Sequence, residues 1–166
     1  MNVFIIAALT ADGFIAKTSD HGADWTSAED KKLFVQLTKE AGVMVMGSKT
    51  FATIGKALPG RRNIIYTSRP ETITAEGVET TAEDPKELLQ RLEREGAQGV
   101  AIIGGATIYA MFLKAGLVND LYLTIEPLLF GSGVSLADSD LSASLKLKEV
   151  QQLNENAVLL HYTVVN

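Results

Sequence analysis

One α/β domain, with a mostly parallel twisted sheet, helices on both faces and an antiparallel hairpin at its C-terminal edge, is the fold this sequence predicts. Three observations lead there. Residues 3–9, 43–46, 63–66 and 99–103 are apolar runs of strand length without polar alternation, the pattern of strands buried on both faces of a parallel sheet. Helical patterns with recognisable start signals lie between several of these runs, and the last third of the chain has strand patterns with no helix between them. The chain has 166 residues, 46% of them hydrophobic, which is enough for one core and too few for two, so residues 1–166 are expected to form one domain.

The first strand, residues 3–9, ends at an Asp12-Gly13 turn. Residues 16–23 are polar and include Gly22, the composition of a surface loop that could act as a lid. Trp25 stands where this loop meets the next helix, and its indole suits either core packing or holding a water near Asp30. Ser27, three residues before an acidic side chain, gives a capping-box-like helix start, and Leu33, Phe34, Leu37 and Ala41 then recur at helical spacing. The strand 43–46 runs into Gly47-Ser48-Lys49-Thr50 and a short helical pattern at 51–54. Leu58-Pro59-Gly60-Arg61-Arg62 is a turn carrying two guanidinium charges, and the strand 63–66 ends at Thr67-Ser68-Arg69-Pro70.

After a loop or short strand around 77–80, Asp84 caps a helix with Pro85 at its first position, running to about Glu95. The strand 99–103 leads into Gly104-Gly105-Ala106-Thr107 and an apolar helix at 108–113. Residues 117–125 read as a further strand, and Pro127 with Gly131-Ser132-Gly133 as a connection. Residues 145–153 and 158–165 form a hairpin across the Asn154-Glu155-Asn156 turn.

Composition excludes several function classes. A net charge of −5 with scattered basic residues argues against capture of nucleic acid or of an anionic membrane, since both need clustered positive charge. The absence of cysteine removes disulfides, thiolate metal sites and a cysteine nucleophile. His21 and His161 lack ligand-like spacing, so they read as structural or surface residues and no metal is expected. The apolar start has no positively charged leader, and no apolar run approaches the ~20 residues that span a bilayer. A cytoplasmic protein acting on small molecules is the expectation.

Asp30 carries the chemical argument. It lies three and four residues before Leu33 and Phe34, on the apolar stripe of its helix, whereas Glu29, Lys32, Gln36 and Lys39 mark the solvated face. Two readings are open: a first-turn carboxylate satisfying free backbone N–H groups, or a lone general acid or substrate anchor whose apolar surroundings raise its pKa. Strand ends supply the second clue. Gly47 to Thr50, Thr67 to Arg69 and Gly104 to Thr107 offer small, hydroxyl or basic residues where ligands bind in open α/β sheets, although a Gly-Gly pair also serves as a packing turn. Together these features suggest a phosphate-bearing cofactor across the sheet's carboxyl edge, with a substrate beside Asp30.

Over nearly its full length the chain resembles a dihydrofolate reductase. The matching segments are Ile5-Ile6-Ala7-Ala8-Leu9, Trp25 with Asp30 and Phe34, Met46 to Phe51 with Ile54-Gly55, Leu58-Pro59-Gly60-Arg61, Ile103-Gly104-Gly105 with Ile108-Tyr109, and Leu121-Tyr122-Leu123-Thr124. Thr124 to Gly131 and Leu153-Asn154-Glu155 resemble the family's dimeric branch from thermophilic bacteria, which implies a homodimer. The resemblance implies that Asp30 is the acidic residue that binds the pterin and supports protonation of N5, with hydride going to C6 from NADPH. Ile6, Ala8, Phe34, Ile54, Ile103 and Tyr109 would line the substrate pocket, with Trp25 and Lys31 beside Asp30. Thr124 would bond to Asp30 or the pterin, Arg61 would fork onto the folate's α-carboxylate, and Lys56 would assist with that tail.

For the cofactor, the resemblance assigns Ala8 and Ile15, then Gly47, Ser48, Lys49 and Thr50, then Thr67, Ser68 and Arg69. It adds Gly104, Gly105, Ala106, Thr107 and Ile108, with Gly104-Gly105 matching the family's cis peptide. Ser48 stands where many members have arginine, leaving Lys49 and Arg69 as the cations for a 2′-phosphate. The second reading is the riboflavin-pathway reductase of a ribosylaminopyrimidine phosphate, whose flavour shows in Asp-Gly-Phe-Ile-Ala and Gly-Ser-Gly-Val-Ser-Leu. Arg61 in the Leu-Pro-Gly-Arg turn favours the folate tail. A nucleotide-binding module without turnover is the third, disfavoured by a partly buried carboxylate that a pure binder does not need.

Overall fold

In the computed structural model, which describes residues 1–137 and 140–165, the chain order is β1 (Asn2–Thr10), β2 (Phe14–Ala16), α1 (Ala28–Ala41), β3 (Val43–Gly47), α2 (Ser48–Ile54), β4 (Arg62–Tyr66), a 3-10 turn at Pro70–Thr72, β5 (Val78–Thr81), α3 (Pro85–Arg94), β6 (Gly99–Gly104), α4 (Ala106–Lys114), β7 (Asp120–Glu126), β8 (Val134–Ser135), β9 (Ser144–Gln152) and β10 (Val158–Val165). Eight strands form one sheet in the order β5-β4-β3-β6-β1-β7-β10-β9. The six strands from β5 to β7 are mutually parallel, and β10 pairs antiparallel with both β7 and β9. The predicted fold class therefore holds.

The continuous apolar run of β1 has a simple cause. Val3, Ile5, Ala7 and Leu9 enter a core shared with Leu88, Leu89 and Leu92 of α3 and Phe112 of α4. Phe4 and Ile6, pointing the other way, pack with Ala41 of α1, Phe51 of α2 and Met44 and Met46 of β3. Both faces of the central strand are covered, so neither tolerates polar alternation. The local start signals also hold: the Ser27 hydroxyl accepts from the Asp30 N–H, and the Asp84 carboxylate caps α3.

Several boundaries differ from expectation. Helix α2 begins at Ser48 and α4 at Ala106, because the glycines before them leave the strands directly into helical turns. Strand β7 begins at Asp120 instead of 117: Leu117 N–H is taken by the Phe112 carbonyl, and the Asn119 amide oxygen accepts from Val3 N–H. The main addition is a two-stranded sheet, β2 with β8, too short to leave a periodic signature.

Gly133 makes that small sheet possible. Its φ is +157°, and a Cβ there would collide with the Ala16 carbonyl oxygen. Gly133→Ala is expected to part β2 from β8 and lower stability by about 1–2 kcal/mol. Denaturant unfolding would measure the loss, with faster amide exchange confined to residues 14–16 and 134–135 marking its place.

Candidate active site

A cleft of about 1100 Å³ runs along the carboxyl ends of β1, β6, β3, β4 and β5. Four strand intervals of about 4.8 Å give it a span of roughly 19 Å, long enough for an extended dinucleotide. Topology explains its position: β6 inserts between β1 and β3, so the chain winds outward in two directions from the middle of the sheet.

Asp30 stands at one end, 8% exposed although it belongs to the first turn of a surface helix. The Thr124 hydroxyl of β7 acts on the carboxylate and favours its ionised form. Desolvation by burial pushes the Asp30 pKa up; the Thr124 bond opposes that rise, the nearby Glu126 charge adds to it, and Lys31 opposes it. The cap reading alone does not account for this, since Ser27 performs the capping while the Asp30 carboxyl faces the cleft. Tyr109 crosses beneath, donating its hydroxyl to the Ile6 carbonyl at 2.9 Å.

Of the residues singled out in the sequence, Ile6, Ala8, Ile15, Trp25, Lys31, Phe34, Ile54, Arg61 and Ile103 all line this cleft. So do Gly47, Ser48, Lys49 and Thr50, Thr67 and Ser68, and the run from Gly104 to Tyr109. Trp25 reaches it with a buried indole N–H that has no partner among the described residues, while its ring packs edge-on against Phe130 at 5.2 Å. Thr124 lies under the floor and acts through Asp30.

Two residues fall outside. Lys56 is exposed beyond Gly55, whose left-handed φ of +81° ends α2, and it does not line the cleft. Arg69 is exposed at the start of the 3-10 turn, its backbone N–H held by the Thr67 hydroxyl. The paired guanidinium groups of the sequence also separate. Arg61 faces the cleft, whereas Arg62 bonds Glu79 at 2.8 and 2.9 Å and Glu95 at 2.9 Å, tying β4 to β5 and to the residue that closes α3.

Sequence reasoning missed other members. His21 lines the cleft, its Nδ1 accepting from Lys17 N–H, because the 16–23 loop folds back against Phe130. Tyr66 and Glu83 line the far end, and the buried Tyr66 hydroxyl has no partner among the described residues. Glu126, 2% exposed, accepts from Ser27. Its signal was the period of two that puts it on the same side of β7 as Thr124.

The chain fits a phosphate-bearing dinucleotide on its own geometry. Helix α4 begins at Ala106 behind Gly105, which has no side chain to cap it, and a helix N-terminus carries the positive end of the helix dipole, which suits an anion. Gly104 and Gly105, joined by a cis peptide, leave space where a Cβ would sit 3.3–3.4 Å from the Thr50 hydroxyl. Gly47 similarly lets the backbone lie close to Ile108. Among the described residues, no group of His, Cys, Asp or Glu is arranged to hold a metal ion, and no helix is long and apolar enough to cross a membrane.

A parallel-sheet cleft with a buried acid at one end and glycine-lined strand ends along its length is the arrangement of a reductase of the dihydrofolate reductase fold. Residues 2–135 match the dihydrofolate reductase family model, and the chain belongs to that family. It is 37% identical over 124 residues to the type 3 dihydrofolate reductase of Salmonella typhimurium, covering 75% of this chain and 71% of that one. Among solved structures, it superposes on a pyrimidine reductase-like protein from Corynebacterium diphtheriae with a TM-score of 0.80 at 18% identity, covering 99% and 92% of the two chains. A diaminohydroxyphosphoribosylaminopyrimidine deaminase/5-amino-6-(5-phosphoribosylamino)uracil reductase from Thermotoga maritima gives 0.76 at 16% identity, over 98% of this chain and 56% of that one. At such identities the structural matches speak for the fold.

Proposed function

We propose that this protein reduces 7,8-dihydrofolate to 5,6,7,8-tetrahydrofolate with NADPH. The observation that carries the reading is Asp30, a desolvated carboxyl that lines the cleft together with Phe34, Ile54 and Ile103. Asp30 binds the pterin's amino group and ring nitrogen and supports protonation at N5. Phe34, Ile54 and Ile103 exclude water from the ring, and Trp25 offers a free indole N–H beside it. Arg61 takes the glutamate α-carboxylate. Gly104 to Ile108, Gly47 to Thr50 and Thr67-Ser68 hold the dinucleotide, with Lys49 as the cleft-lining cation for its 2′-phosphate. Bound NADPH supplies the hydride that C6 receives.

Reduction of a ribosylaminopyrimidine phosphate is the second reading, favoured by superposition on pyrimidine-reductase structures over almost the whole chain. Purified protein with NADPH and each substrate in turn separates them by loss of nicotinamide absorbance. Turnover of dihydrofolate is expected; turnover of the pyrimidine phosphate alone would replace the first reading with the second.

A second copy of the chain is the partner we propose. Leu145, Leu147 and Val150 of edge strand β9 are 41%, 50% and 56% exposed, and a register shift opposite His161 and Tyr162 keeps all three on the side of Leu160 and Tyr162. Sedimentation should give the dimer mass. A monomer at micromolar concentration would remove this proposal.

A further inference from the structure

We propose that Glu126 is a positioning residue for Asp30, fastening the Ser27 cap of α1 to the end of β7 and placing a second carboxylate behind the one that faces the cleft. The proposal deepens the reductase reading and rests on it for its kinetic consequences.

Glu126 is the last residue of β7 and is 2% exposed. A buried carboxylate is costly unless it is bonded, and this one accepts at a single oxygen from the Ser27 hydroxyl at 2.7 Å and the Ser27 N–H at 3.1 Å. The same hydroxyl oxygen accepts from the Asp30 N–H at 3.2 Å. Ser27 is therefore a two-sided clasp, with the strand end on one side and the backbone of the acid on the other. Helix capping does not require this arrangement, because a serine caps without a carboxylate behind it. No ion pair offsets the Glu126 charge among the described residues.

Among the described residues, Glu126 is the other acid acting on Asp30. From α1 comes Lys31, whose ammonium donates to the Thr26 carbonyl at 3.0 Å. From β7 come Thr124 and Glu126, and from α4 comes Tyr109, neutral and bonded to Ile6. From β1 the cleft receives Ile6 and Ala8, which are apolar. Lys31 and Thr124 favour the ionised form of Asp30, while burial and Glu126 favour the protonated form. Thus the strand that donates a hydrogen bond to the acid also carries, two residues on, the charge that helps it keep its proton. The clasp holds both at fixed positions relative to the helix.

The test uses the full chain with aspartate labelled at its side-chain carboxyl by ¹³C, the Asp30 resonance being assigned with Asp30→Asn. Glu126→Gln keeps an acceptor for Ser27 and removes the charge. Its expected result is an Asp30 titration midpoint below that of the native protein, with the alkaline limb of the kcat profile moving the same way and KM little changed. Ser27→Ala keeps the charge and opens the clasp; its expected result is a kcat about tenfold lower. An unchanged Asp30 midpoint in Glu126→Gln overturns the charge role, and a native kcat in Ser27→Ala overturns the positioning role. The titration needs no substrate. A shifted midpoint in a protein that reduces neither substrate would therefore support the role of Glu126 and overturn the proposed reaction alone.

Discussion

Asparagine at position 30 is expected to lower dihydrofolate turnover at neutral pH by about 10²–10⁴-fold, the range that a positioned proton donor supplies. The amide keeps the size of the side chain and its hydrogen bonds to Thr124 within reach, so the loss reads the proton and not the packing. Activity should recover in part as pH falls, because substrate already protonated at the ring nitrogen no longer needs the carboxyl. Stopped-flow nicotinamide absorbance across a pH series would show both. A variant with native turnover at neutral pH would return Asp30 to a structural role.

The same substitution has a stability consequence with a definite sign. The folded-state pKa of Asp30 is raised, chiefly by desolvation, so the native state binds its proton more tightly than the unfolded chain does. Its contribution to stability is fully present below the unfolded pKa and is lost as pH rises through the raised one. Asp30→Asn has no proton to lose there. The variant should gain stability relative to the native protein on the alkaline side, and urea midpoints at acidic and alkaline pH would measure the difference.

Removing the Arg61 guanidinium, as in Arg61→Leu, is expected to raise KM for dihydrofolate by about 10–10²-fold, the worth of a charge-assisted hydrogen bond of roughly 1.5–3 kcal/mol. One branch of the fork is already occupied, Nη1 donating to the Pro59 carbonyl at 2.8 Å, and this aims the group. Its Nε is buried with no partner among the described residues, and burial lowers the guanidinium pKa. A donor left unsatisfied beside a cleft is ready for an external acceptor. The KM of a pterin substrate lacking the glutamate tail should stay within about twofold of native, since uniform binding to the tail is what the variant loses. Equal losses for tailed and tailless substrates would show that Arg61 holds the cleft together instead.

What could be read in the chain without its fold was whatever depends on near neighbours. The buried strands showed because both faces of a parallel sheet exclude polar side chains, and the α1 and α3 starts showed because Ser27 and Asp84 act within one turn of themselves. Asp30 was legible as an acid on an apolar stripe, since helical spacing is local. The pair Gly104-Gly105 was legible as either a packing turn or a point where a ligand approaches the backbone, and both glycines line the cleft.

Tertiary structure decided the features that join distant segments. Nothing near Arg61 and Arg62 says which one enters the cleft; Glu79 and Glu95, 17 and 33 residues beyond Arg62, decide it by claiming Arg62. His21 joins the site because its loop folds onto Phe130, whereas Lys56 and Arg69 are exposed and do not line the cleft. The bond between Ser27 and Glu126 spans 99 residues of chain. The longer strands, the two caps and the place of Asp30 on an apolar stripe are each set by residues a few positions apart, whereas the short β2 and β8 strands are not. The cleft, its usable arginine and the partner behind Asp30 came only with the fold, because sheet order brings together groups whose separation along the chain carries no signal.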